Sequence, residues 1–331
     1  MKRSTGQDAD PSRTLNRAGN RAESQTGGAA QRGGYVPGLP GTPAFTLTNA
    51  SAPAIPVLIS VPHAGRVYPA ELLSALRHPA DAPLRLEDRL VDQIAVRLAD
   101  ATGAALLVAH APRAMIDLNR APDDMDWDMV ASGGARPFAR MGAGRRARTG
   151  LGLVPRRLAG LGELWHERLP REELEARISA VHTPYHAALA HTLEALRDTW
   201  GAALLLDLHS MPPLGPKTGA EAAADFVVGD RFGASCAAHL SQAALRYLDQ
   251  AGWRAAHNRP YAGGYVLDRH AAPQRGIHAM QVEICRAVYL DAQLQELGEG
   301  IDAVAASLSA MVLRMAAELV PMPRGFAQAA E

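Results

Sequence analysis

Three ionisable residues stand at or inside the ends of apolar runs. His63 follows Val57-Leu58-Ile59-Ser60-Val61 after one proline, His209 directly follows Leu204-Leu205-Leu206-Asp207-Leu208, and Glu283 lies within Met280-Gln281-Val282-Glu283-Ile284. Groups just beyond the carboxyl ends of strands converge on the ligand crevice of open α/β sheets. Two imidazoles and carboxylates brought together there are natural metal ligands, and zinc is the common metal for such a set. Catalytic zinc takes three protein ligands and keeps a position for water, which ionises near neutral pH and attacks a carbonyl. Taken singly, each His also fits a hydrogen-bonded turn. Glu283 is different, because a carboxylate inside an apolar strand needs a function or an ion-pair partner. Asp207 lies two residues before His209, so both side chains share one strand face. There it could be a ligand, an acid orienting the imidazole, or a buried acid paired with an unrelated cation.

A second constellation is Pro112-Arg113-Ala114-Met115-Ile116-Asp117-Leu118-Asn119-Arg120. Its guanidinium groups suit bidentate binding of a carboxylate, although Arg113 or Arg120 could equally pair with Asp117 or Asp123 as structural cations. In Asn258-Arg259-Pro260-Tyr261-Ala262-Gly263-Gly264-Tyr265, paired glycines would let the backbone approach a ligand closely, or simply make a turn. The chain has no Walker A loop, GxSxG elbow, CxxC or HExxH.

The elements that must carry these groups read as alternating strands and helices. Strands are expected at 57–61, 104–109, 202–208, 226–228 and 279–284. Helices are expected at 87–101 with Gly103 as a stop, at 171–200 with an interruption at Pro184, at 234–251 and at 291–320. The Gly/Arg/Pro-rich stretch 132–157 reads as a long functional or mobile loop. This pattern predicts an α/β fold with a mixed or mostly parallel central sheet. Residues 1–34 hold no aromatic, and folded character begins near Phe45, so residues 1–44 are expected to form a disordered extension and 45–331 a single catalytic domain.

Composition narrows the classes. The 331 residues include 47% hydrophobic residues, and 34 Lys+Arg balance 34 Asp+Glu, which speaks against nucleic-acid binding through a basic surface. Cys236 and Cys285 are too few for a disulfide scaffold. No apolar run approaches the roughly 20 residues of a membrane span. A cytoplasmic protein is expected, monomeric or a small homo-oligomer.

Taken in order, these segments resemble the N-formylglutamate amidohydrolase family. The matching pieces are 60–69 (SVPHAGRVYP), Glu87-Asp88 with Val91-Asp92, 112–120, 150–155, Thr183-Pro184-Tyr185-His186, 206–210, 258–264 and 281–286. The resemblance implies a three-layer, zinc-carboxypeptidase-like α/β fold and metal-dependent hydrolysis of an N-acyl amino acid. The namesake substrate, N-formyl-L-glutamate, would yield formate and glutamate in histidine degradation. By the same analogy His63 and His209 bind one zinc ion per chain, and Glu283 is the general base. A carboxypeptidase-type site places a carboxylate three residues after the first His, and here that position is Arg66. Asp88 is the expected replacement, with Glu87 and Asp92 as alternatives. Arg113 and Arg120 would serve the substrate carboxylate and the oxyanion, in either order. Asn119, Asn258, Tyr261, Gly263 and Gly264 would complete the substrate site. Two other readings are a zinc peptidase or amidase acting on larger substrates, and a metal-less binding protein of the same fold.

Overall fold

A computed structural model of the chain describes residues 30–131, 145–216, 219 and 222–319. Eight strands form one sheet: β1 (Gln31–Gly33), β2 (Phe45–Thr48), β3 (Val57–Val61), β4 (Ala105–Ala109), β7 (Ala203–Met211), β8 (Phe226–Gly229), β9 (Ala255–His257) and β10 (Ile277–Cys285). Their order is β1-β2-β4-β3-β7-β10-β8-β9. The centre is parallel (β4-β3-β7-β10), while β2 and β8 run antiparallel to β4 and β10, so the sheet is mixed, as expected. A separate hairpin pairs β5 (Arg157–Leu158) with β6 (Gly162–Glu163).

The helices are α1 (Ala70–Ala75), α2 (Asp81–Leu86), α3 (Val91–Thr102), α4 (Arg145–Arg148), α5 (Arg171–Arg177), α6 (Thr183–Trp200), α7 (Ala238–Gln250), α8 (Tyr265–His270) and α9 (Ile301–Leu319). None among the described residues is long and apolar enough to cross a membrane. On one sheet face Val57, Ile59, Leu204, Leu206, Met280 and Val282 pack against α3, α7 and α9. The opposite face buries Leu58, Leu107, Leu205 and Ala279 under Tyr185, Leu189 and Leu193 of α6. The result is helix–sheet–helix, the arrangement that a sheet with two apolar faces requires.

Strand parity explains how the site arises. On the α6 face the register aligns Leu58 with Leu205 and Leu205 with Ala279, an apolar rung. Two residues on, Ser60, Asp207 and Gln281 align, and two further on Glu283 stands beside His209. One face of three parallel strands therefore changes from packing to chemistry toward their carboxyl ends.

Several expectations need correction. Folding begins before Phe45: β1 pairs with β2, Tyr35 N–H donates to Ala180 O at 3.1 Å, and Val36 is fully buried. A three-residue polar strand carries no periodic signal, so its pairing is visible only in three dimensions. Residues 1–29 of the expected extension lie outside the described residues. The helix expected from Glu87 starts at Val91, because Leu90 adopts a left-handed conformation (φ 55°) and turns the chain. Its stop at Gly103 is as expected, with the glycine at φ 68°. Pro184 does not interrupt the helix at 171–200. A π turn over Ile178–His182 joins α5 to α6, and the proline sits in the first turn of α6, where its missing N–H costs little. The last helix begins at Ile301 rather than 291. Of the loop expected at 132–157, residues 132–144 lie outside the described residues, and 145–148 form α4.

A chain beginning at Phe45 should melt below one beginning at Ala30. Burying a valine side chain is worth about 1.5–3 kcal/mol, and each kcal/mol moves the melting point by about 2–4 °C in a domain of 150–250 residues. Scanning calorimetry of the two truncations checks this; equal melting temperatures would show that β1 and Val36 add nothing.

Candidate functional site

The turn after β3 presents His63, and the chain ahead of α3 returns to meet it, with Asp88 N–H donating to His63 O at 2.9 Å. That backbone contact decides among three neighbouring carboxylates. Asp88 points inward, while Glu87 accepts from Arg89 at 3.3 Å and Asp92 is held bidentately by Arg66 at 2.8 Å on both oxygens. Asp88 Oδ2 lies 2.9 Å from His209 Nδ1 and 3.5 Å from His63 Nδ1. The donor atoms of His63, Asp88 and His209 all fall within 4.8 Å of one another, and all three residues are buried.

Each imidazole is backed by a second acid. His63 Nε2–H donates to Asp117 Oδ1 at 2.7 Å, and His209 Nε2–H donates to Asp207 Oδ2 at 2.8 Å. Both rings thus turn Nδ1 inward and anchor Nε2 on a buried carboxylate, the arrangement in which an outer acid fixes the tautomer of a metal-binding His. Burial alone would depress His209, but Asp207 and then Asp88 raise its pKa well above the usual imidazole value. Burial would likewise raise Asp88, yet hydrogen bonds from His209 and His63 hold it well below the usual carboxylate range. Two inward imidazole nitrogens and one carboxylate oxygen form a donor set that fits a divalent cation such as zinc.

Glu283 stands beside His209 across the β7–β10 ladder, and Gln281 Nε2–H donates to its Oε1 at 2.8 Å. Burial pushes its carboxyl up to about 8, with His209 and Arg113 opposing and Asp88 and Asp207 adding to the rise. Gln281 in turn accepts from Asn119 Nδ2 at 3.4 Å, and Asn119 Oδ1 accepts from Val266 N–H at 2.9 Å. The 117–120 turn and the start of α8 are thereby tied to the carboxylate.

These groups open on a cavity of about 290 Å³ whose wall includes Arg113, Asn119, Arg120, Tyr261, Gly263 and Gly264. Arg113 both lines it and pairs with Asp117 at 2.9 Å. Arg120 donates to the carbonyls of Leu151 (2.9 Å) and Asn119 (2.6 Å), which aim it along the wall. A Cβ on Gly264 would lie 2.6 Å from Asn119 Oδ1, which is why glycine stands there. Asn258 does not face the cavity. It is buried, donates to Asp230 Oδ1 at 2.8 Å and accepts from Asp230 N–H at 3.0 Å, supporting the loop that carries Tyr261 and the glycines.

Sequence reasoning missed several contributors. Gln281 had a legible signal, preceding Glu283 by two residues as Asp207 precedes His209. Arg286 had none: it donates to Ser210 Oγ (3.1 Å) and to the carbonyls of Leu84 (3.3 Å) and Glu87, clamping the loop that presents Asp88. Arg85 and Arg146 also line the cavity. Behind the 117–120 turn lie three neighbouring histidines. His182 Nε2–H donates to Arg120 O (2.9 Å), His186 Nε2–H to Leu118 O (3.0 Å), and His270 Nε2–H to His186 Nδ1 (2.8 Å).

Two outcomes are expected. Gly264→Ala should displace the Asn119 amide and lower turnover by up to about 100-fold, the cost of misplacing a site group by roughly 1 Å, while circular dichroism stays native; wild-type kinetics would show that Asn119 tolerates the shift. The buried histidines should make the fold acid-sensitive. Burial, helped by neighbouring cations, lowers His186 to about 2 and His270 to about 4, against 6.5 for a free imidazole. A base depressed by folding supports the native state above its unfolded pKa and withdraws that support as pH falls toward its folded value. Stability should therefore decline from pH 6.5 toward pH 4. Denaturant midpoints of His270→Gln should fall less over this interval than those of wild type; parallel pH profiles would refute the assignment.

Known proteins resemble this chain over most of its length. The sequence pattern of the N-formylglutamate amidohydrolase family matches residues 55–290. The chain is 31% identical over 246 residues to N-formylglutamate deformylase of Pseudomonas aeruginosa, covering 72% of this chain and 84% of that protein. It is 29% identical over 238 residues to the deformylase of Pseudomonas putida, covering 72% and 82%. The crystal structure of N-formylglutamate amidohydrolase from Ralstonia eutropha superposes with a TM-score of 0.74 at 31% identity, over 83% of this chain and 98% of that one. With the match running from β3 through β10 and enclosing His63, Asp88, His209 and Glu283, the chain belongs to the N-formylglutamate amidohydrolase family.

Proposed function

We propose that this chain hydrolyses the amide of N-formyl-L-glutamate to formate and glutamate, with one zinc ion held by His63, Asp88 and His209. The observation that carries the reading is the pair of inward Nδ1 atoms around Asp88, with Glu283 on the adjacent strand. Family membership supports the substrate, and a cavity of about 290 Å³ at the small end of ligand sites suits it better than a peptide chain. Two buried, unpaired cysteines suit the reducing cytoplasm.

When bound, zinc would supply Lewis acidity, lowering the pKa of a water and polarising the formyl oxygen. The remaining steps belong to the protein. Glu283, with a pKa pushed toward neutrality, accepts a proton from the attacking water and returns it to the leaving nitrogen. Gln281 and, through it, Asn119 hold the carboxylate in place. Arg113 lies in the field of Asp88 and Glu283 and so stabilises the developing oxyanion. Arg120, which lies in the field of Arg146, takes a substrate carboxylate. Asp117 and Asp207 keep both imidazoles in the tautomer that leaves Nδ1 free for the metal.

Elemental analysis with a formate-release assay tests this. Wild type should carry about one zinc per chain and release formate, and His209→Ala should lose both. Glu283→Gln should stay folded and metal-loaded while turnover falls by at least about 10²–10⁴-fold. Unchanged metal content in His209→Ala, or near-wild-type turnover in Glu283→Gln, would overturn the assignment.

A further inference from the structure

The cavity wall carries five arginines, Arg85, Arg113, Arg120, Arg146 and Arg286, against two carboxylates, Asp88 and Glu283. Protein groups engage four of the five. Arg113 faces Asp117, Arg286 holds Ser210 and the loop before Asp88, Arg85 donates to Ala159 O at 3.1 Å, and Arg120 is aimed by two carbonyls. Arg146 makes no side-chain hydrogen bond or ion pair with the described residues. Its backbone is nevertheless fixed: Ala147 next to it is fully buried and donates its N–H to Asp124 Oδ1 at 3.2 Å, and Leu151 N–H donates to Arg146 O at 2.9 Å. Arg146 and Arg113 are the two cations whose fields oppose the charge on Arg120. Neighbouring guanidinium groups on a cavity wall, one of them with no counter-ion among the described residues, are unfavourable until an anion enters between them.

We infer that Arg146 is the specificity residue of this enzyme: it binds the side-chain carboxylate of an acidic N-formyl amino acid while Arg120 holds the other carboxylate. The inference rests on the formyl amino acid reading above and extends it to the choice of amino acid. A neutral side chain in the same pose leaves Arg146 without its ion pair, so discrimination falls on charge rather than size. N-formyl-L-glutamate and N-formyl-L-glutamine share a shape and differ at that one group, which makes them the diagnostic pair.

The experiment compares wild type, Arg146→Gln and Arg146→Lys on both substrates, and measures binding of L-glutamate and L-glutamine to each by calorimetry. Arg146 is on the surface, so these variants should fold. Arg146→Gln should lower kcat/KM for N-formylglutamate by roughly 10- to 100-fold, the range of one charge-assisted contact, mainly through KM. Its preference for glutamate over glutamine should collapse in both turnover and binding. Arg146→Lys should keep part of the preference, because charge survives but the planar fork does not. A glutamate preference unchanged in Arg146→Gln overturns the inference. Should wild type release no formate from either substrate, the functional reading falls and binding decides Arg146 alone. A glutamate-over-glutamine preference that Arg146→Gln erases upholds it, and equal binding of the two by wild type refutes it.

Discussion

Three carboxylates, Asp88, Asp117 and Asp207, lie almost wholly out of water at the end of a parallel sheet. Isolated there, each would carry a desolvation cost of several kcal/mol. Each instead meets imidazole or guanidinium partners: Asp88 both histidines, Asp117 His63 and Arg113, Asp207 His209 and Ser60. This charge compensation fixes the two imidazoles on both ring nitrogens. It also constrains everything around the site, because removing any member leaves a buried acid or imidazole with one partner fewer. The loop before α3, the turn at 117–120 and strand β7 must therefore be in place together.

The sheet supplies the positions with little extra machinery. Rungs of the α6 face are two residues apart, so an apolar rung, a polar rung and a reactive rung succeed one another along β3, β7 and β10. The opposite face is apolar through Leu204, Leu206 and Leu208 and through Met280, Val282 and Ile284, and holds α3, α7 and α9. Stability and chemistry are thus assigned to alternate residues of the same strands, and a one-residue slip in register would send His209 and Glu283 into the helical layer.

Around this centre, irregular segments supply specificity and are themselves tied to regular ones. Histidines 182, 186 and 270 link the 117–120 turn to α6 and α8, and the π turn before α6 is the segment that carries His182. Asn258 and Asp230 do the same for the glycine loop. Cation-lined walls beyond them surround a cavity sized for a small molecule.

Much of this was legible in the sequence. Strands 57–61 and 226–228, the α3 stop at Gly103 and the central α6 each have their own hydrophobic period or glycine signal, which local physics alone sets. Polar residues set into apolar strands marked His209, Asp207 and Glu283, because an apolar strand tolerates such groups only with partners. Other features had no local signal. Glu87, Asp88 and Asp92 are equivalent as letters; a left-handed Leu90 and a hydrogen bond to His63 O, 25 positions earlier, turn Asp88 toward the imidazoles and leave its neighbours to Arg89 and Arg66. Asn258 resembles a ligand group in sequence and is a loop support in space. Arg286 and Arg146 reach the cavity through tertiary contacts alone, and β1 exists only because β2 is there to pair with it. Residue type and period determine which groups can sit in a strand or helix. The direction a charged side chain finally takes depends on partners distant in the chain, and only the folded structure brings those partners within reach.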